Sequence, residues 1–86
     1  MKIFENAEFG QIRTVVIDGE PWFVAKDISE ALGYVKTFNM TKLIDDEDRK
    51  NIRSSILKEE GARQSYQIGI VNESGLYAAI FGSKLR

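Results

Sequence analysis

The dipeptide Asp18-Gly19 constrains this chain more than any other feature. It stands between two apolar runs, residues 12–17 and 21–24, and the first of them is rich in β-branched side chains. A type I′ turn needs positive φ at both central positions, which Asp-Gly tolerates, so the two runs are predicted to pair as a β-hairpin. Pro21 has no N–H to give a ladder and should face an unpaired edge or begin its strand. An earlier strand is expected around residues 2–5.

The apolar period then changes. Ala25, Ile28, Ala31 and Leu32 lie on one helical face. Asp27 sits in the first turn of that helix, where a negative charge suits the dipole. Gly33 can end it in a left-handed conformation. A second helical stretch is expected over residues 36–44. Phe38, Thr41, Leu43 and Ile44 would form its inward side, and Lys36, Asn39 and Lys42 its outward side. Asp45-Asp46-Glu47-Asp48 is a polar break, read as a helix-initiating turn. Residues 49–57 fit either a helix or a strand. Residues 58–61 read as a turn. Residues 65–71 alternate as a half-buried strand, with Tyr66, Ile68 and Ile70 on one face. Asn72 is a natural N-cap for a last apolar helix, and Gly82 would be its stop. Strands joined by tight turns, with helices in separate blocks, make an α+β fold: a small antiparallel sheet or hairpins with three or four short helices.

Composition narrows the chemistry. The 86 residues allow one compact domain. There is no cysteine and no histidine, so disulfides, thiolate metal sites, a cysteine nucleophile and the commonest general base are all excluded. An enzyme is not expected, and neither is a cofactor or a metal. A calcium loop starting at Asp45 would need Gly at its sixth position and Glu at its twelfth, where Lys50 and Ile56 stand. Asp27 and Glu73 have no nucleophile beside them to make a catalytic carboxylate pair. No apolar run reaches the roughly 20 residues that span a bilayer, and the start lacks a secretory pattern. No membrane partner is expected, and a cytoplasmic setting fits.

The net charge of −1 argues against strong nonspecific nucleic-acid binding, but its distribution is uneven. Residues 35–58 carry six bases and four acids, net +2, and all four acids sit at 45–48. Two groups of candidates follow. Lys36, Asn39 and Lys42 could face a DNA groove, since Asn can bond adenine and Lys can reach guanine or phosphate. Arg49, Lys50 and Arg53, with Lys58 beyond them, could contact phosphates. The plain alternative is a solvated helix face and ordinary surface charge partly paired with Asp45–Asp48.

Trp22-Phe23-Val24-Ala25-Lys26-Asp27, followed by Ala31-Leu32-Gly33-Tyr34, resembles the signature of the Bro-N domain. This is the N-terminal domain of many phage and prophage antirepressors and of the baculovirus Bro proteins. Val71-Asn72-Glu73-Ser74-Gly75-Leu76-Tyr77, then Ser83-Lys84, resembles the family's other block. The two blocks stand in the family's order and cover nearly the whole chain. The family pattern runs on past Ser-Lys, so residues 1–86 are expected to be one domain cut from a longer protein. The resemblance implies double-stranded DNA as partner in phage or prophage gene regulation, inside the bacterial host cell. The second expectation is an interaction module that grips a repressor protein, with exposed apolar residues on the last helix as its mark. A homo-oligomer is left open. Trp22, Phe23 and Tyr34 could stack on bases, but Trp22 and Phe23 point to opposite faces of a strand, and core packing is the simpler role for both.

Overall fold

The computed structural model describes residues 2–6, 10–53 and 66–84. Five antiparallel strands form one sheet: β1 (Lys2–Asn6), β2 (Gly10–Ile17), β3 (Glu20–Val24), β4 (Arg49–Arg53) and β5 (Gln67–Val71). Their spatial order is β1-β2-β3-β5-β4. Among the described residues three helices accompany the sheet, α1 (Ala25–Leu32), α2 (Thr37–Thr41) and α3 (Glu73–Lys84), and a 3-10 turn, Asp46–Asp48, precedes β4. The α+β expectation holds.

The hairpin forms where Asp-Gly demands it. Asp18 and Gly19 have φ of 53° and 78°, and Ile17 pairs with Glu20 across them. The next pair, Val16 with Pro21, is then a non-hydrogen-bonded one, so the imino nitrogen of Pro21 points away from β2. On that side β5 pairs only with Phe23 and Val24, so Pro21 meets no ladder.

Alternation along the strands gives the sheet two different faces. Ile12, Phe23 and Val71 lie under the helices with Ala25, Ile28, Tyr34, Met40, Ile44 and Ala79. Trp22, Val24, Ile52, Ile68 and Ile70 form a second buried cluster on the opposite face. Trp22 and Phe23 therefore both pack, on opposite sides. The β4–β5 register runs from Arg49↔Val71 to Arg53↔Gln67. The ambiguity over residues 49–57 thus resolves as strand for 49–53; residues 54–57 and the expected turn at 58–61 lie outside the described residues.

Helix α1 stops at Gly33 in the left-handed region (φ 83°), as its sequence requires. Ahead of its first turn, the β2 ladder to β3 ends at Thr14↔Phe23. The backbone N–H of Arg13 instead donates to Asp27 Oδ2 at 2.9 Å. The guanidinium adds Nε to the same oxygen at 2.9 Å and Nη2 to Oδ1 at 3.1 Å. One carboxylate thus ties α1 to β2 through three hydrogen bonds. The same contact raises the pKa of Arg13 further, against an opposing effect of burial.

Three expectations change. The stretch 36–44 holds only the five helical residues of α2. Its inward residues are Met40, fully buried, and Ile44, whereas Phe38 is 70% exposed and Leu43 about half. The acidic run does not start a helix; it forms the 3-10 turn that feeds β4. Gly82 does not end α3, which runs through it to Lys84. A Cβ at Gly82 would lie 2.6 Å from Leu43 Cδ1 and 2.8 Å from the Tyr34 hydroxyl, so the glycine makes room for packing. That hydroxyl is buried and donates to the Ala79 carbonyl at 2.8 Å.

Gly75 has the same role at the other end of α3. A Cβ there would meet the Asp48 carbonyl oxygen and Val71 Cβ, each at 3.0 Å. Because backbone cannot step aside cheaply, Gly75→Ala is expected to destabilise the fold by about 1–3 kcal/mol. Urea unfolding should show a lower midpoint at unchanged slope.

Candidate nucleic-acid interface

Among the described residues the helices pack against β2, β3 and β5 and leave the helix side of β4 uncovered. Cavities of about 320 and 400 Å3 lie there and share Ala25, Thr41, Asn51 and Gly69 in their walls. Together they make one trough on the helix side of β4–β5. Thr37, Phe38 and Thr41 of α2 form one wall, with Lys26 from the first turn of α1. The floor is the Asn51↔Gly69 pair. Asp46 and Arg49 stand at one end, Arg13 and Tyr66 at the other.

The expected contact residues separate into three situations. Lys36 is the extended residue before α2, Asn39 lies within α2 and Lys42 follows it. Lys36 and Lys42 are exposed and Asn39 is half-buried, so the outward side is as read, although the helix beneath it is shorter. Arg49 and Arg53 share the face of β4 that carries Asn51, because strand side chains alternate. Arg49 is held: its Nη2 bonds Asp46 Oδ1 in an ion pair, and its Nε donates to the Ile44 carbonyl at 3.2 Å. Arg53 is exposed. Lys50 points to the other face, where its Nζ lies 4.1 Å from the centroid of the Trp22 ring. The six residues therefore do not converge into one patch. Lys36, Asn39 and Lys42 lie in and beside α2, Arg53 shares its face of β4 with Asn51, and Lys50, itself exposed, lies over Trp22 of the second cluster.

Sequence reasoning missed Asn51 and Gln67. Both are exposed on the trough face of β4–β5, and Gln67 is directly opposite Arg53. Their common face could have been found only by pairing residues 49–53 with 67–71 as strands. The Asn72 N-cap is present: the Gly75 N–H donates to Asn72 Oδ1 at 2.9 Å. Asn72 also holds the turn before β4, through its N–H to the Asp48 carbonyl and its Nδ2 to Asp48 Oδ1, each at 3.0 Å. The relation of the ribbon to the helical layer is thereby fixed by hydrogen bonds. On α3, Tyr77 and Phe81 are 60% and 65% exposed, one turn apart. The Tyr77 hydroxyl donates to Glu73 Oε1 at 3.2 Å, which raises the tyrosine pKa.

Trp22 is the only tryptophan, so its emission reports on Lys50 directly. Lys50→Ala is expected to shift that emission and to cost about 0.5–1 kcal/mol in urea unfolding, the size of a cation–π contact near the surface.

Among the described residues no helix is long and apolar enough to cross a membrane. No curated protein and no solved structure matches the chain. The sequence profile of the BRO family, N-terminal domain, matches residues 11–86. That span covers β2 through α3, including the Asp27 clamp, the Asn72 junction and the whole β4–β5 ribbon, and the chain belongs to the BRO family as its N-terminal domain.

Proposed function

We propose that this domain is a binding module, not an enzyme, and that its target is double-stranded DNA in phage-type transcriptional regulation within a bacterial cytoplasm. The observation that carries the reading is where the charge sits. The chain is −1 overall, yet the exposed Lys36 and Lys42 flank α2, which holds no acid, and the exposed Arg53 shares its face of β4 with Arg49, whose charge Asp46 offsets. Both elements border one trough. Membership of the BRO family supports the same target. Lys36 and Lys42 are long, exposed and on the outward side of α2, a placement suited to phosphate contacts.

Each phosphate contact contributes about −0.9 to the log–log salt slope on duplex DNA. Lys36→Glu with Lys42→Glu is therefore expected to weaken binding to a random duplex at least ten-fold at low salt. It should flatten the slope by about 1.8. Fluorescence anisotropy at several salt concentrations measures both. Affinity and slope equal to those of the parent protein would remove α2 from the interface.

A second reading has its own observation. Tyr77 and Phe81 present an aromatic stripe on α3. It suits an antirepressor that grips the cognate repressor itself, or a second copy of this chain. On that reading Phe81→Ser abolishes complex formation with the purified repressor in titration calorimetry and leaves duplex binding intact. The complex should also resist salt that dissociates DNA, because apolar contact is not screened.

A further inference from the structure

Asn and Gly are both poor strand formers, yet Asn51 and Gly69 face one another at the centre of the β4–β5 ladder. The fold does not demand glycine there. The φ of Gly69 is not positive, and a Cβ would meet only Asn51 Oδ1 at 3.5 Å and Ala25 Cβ at 3.9 Å, both ordinary contacts. A Cβ would fit, and a β-branched residue would favour the strand. Local rules that are broken without a packing reason concentrate at functional sites, and close approach of another molecule is one reason for a glycine inside a strand.

The residues around that gap indicate what approaches. Asn51, Arg53 and Gln67 are exposed on the same face of the ribbon. Their opposite-face neighbours Ile52, Ile68 and Ile70 are buried against Trp22 and Val24, so the ribbon is anchored from behind and its polar side is preset. An amide can bond adenine N6 and N7 together, and a guanidinium can bond guanine O6 and N7. The major groove of B-DNA, about 12 Å wide, admits a two-stranded ribbon. Helix α2, with one and a half turns, offers a shorter reading surface and only Asn39, which is half-buried, as an amide.

We propose that the polar face of β4–β5, with Asn51, Arg53 and Gln67 around the Gly69 gap, reads base edges in the major groove, while Lys36 and Lys42 hold phosphates. The inference rests on the DNA reading above and assigns its specificity to the ribbon instead of the helix. On the polar face Arg53 is the exposed cation, Arg49 is offset by Asp46, and Lys36 and Lys42 add positive charge beside the trough, which suits a polyanion. Arg49 does not read bases, because Asp46 and the Ile44 carbonyl hold its guanidinium.

The test is selection from a randomised duplex pool, with the parent protein and with Asn51→Ala, Arg53→Ala, Gln67→Ala and the pair Lys36→Ala/Lys42→Ala. The parent is expected to enrich a motif. Each ribbon variant should lose about ten-fold preference at its own base position. The lysine pair should weaken binding to every sequence alike and keep the motif. Gly69→Val gives a second signature: an unfolding midpoint equal to or above the parent's, with duplex affinity reduced at least ten-fold. An unchanged motif from all three ribbon variants would overturn the inference and leave the DNA reading standing, as would a folded Gly69→Val protein with full affinity. Failure of the parent protein to bind any duplex at low salt would overturn both.

Discussion

Asn72 holds the two halves of this molecule in register. Its side chain caps α3 through the Gly75 N–H, its backbone and amide reach Asp48, and it follows Val71, the last residue of β5. One nearly buried side chain therefore joins the end of one strand, the start of a helix and the turn that launches the edge strand. Gly75 is the steric condition for this: any larger residue would push α3 away from the Asp48 carbonyl. If the junction were loosened, β4 would lose its alignment with α2, and the trough between them would have no fixed width. The Arg13–Asp27 clamp does the equivalent work at the other side of the sheet, by replacing a missing rung of ladder with a forked ion pair. A bidentate, partly buried pair of this kind contributes more than a surface salt bridge, because the charges are partly shielded from water and three hydrogen bonds reach one carboxylate.

Much of this framework is legible in the chain, and for identifiable reasons. Asp18-Gly19, Gly33 and Asn72 are local signals whose requirement is met within four residues, so nothing distant overrides them. The opposite burial of Trp22 and Phe23 follows from alternation alone. The failures have physical causes as well. A five-residue helix has too few positions to define a face, which is why Phe38 reads as inward and Met40 is passed over, although only Met40 is buried. Gly82 carries the same letter as a helix stop, but its reason lies in Leu43 and Tyr34, some forty residues away. The basic segment misleads most. Arg49, Lys50 and Arg53 are close in sequence, but alternation sends Lys50 to Trp22 and leaves Arg53 beside Asn51. Asp46 then engages Arg49 three residues on. A count of cations along the chain cannot separate these three fates.

The consequence for function is a small number of available cations on a nearly neutral protein. With the two proposed phosphate contacts of Lys36 and Lys42, a change from 50 to 200 mM salt would lower duplex affinity only about twelve-fold. Such a domain would not coat DNA by long-range attraction, and the acidic turn beside β4 would add to the cost of unselective binding. Discrimination must then come from short-range groups in fixed positions. Exposed amides and a guanidinium on an anchored ribbon meet that need better than lysines on a short helix. Lysine reaches a phosphate from many geometries, whereas Asn, Gln and Arg distinguish bases only when the backbone beneath them is held. The buried cluster behind the ribbon and the Asn72 junction beside it supply that rigidity, so the same contacts that stabilise the fold also set the accuracy of the surface it presents.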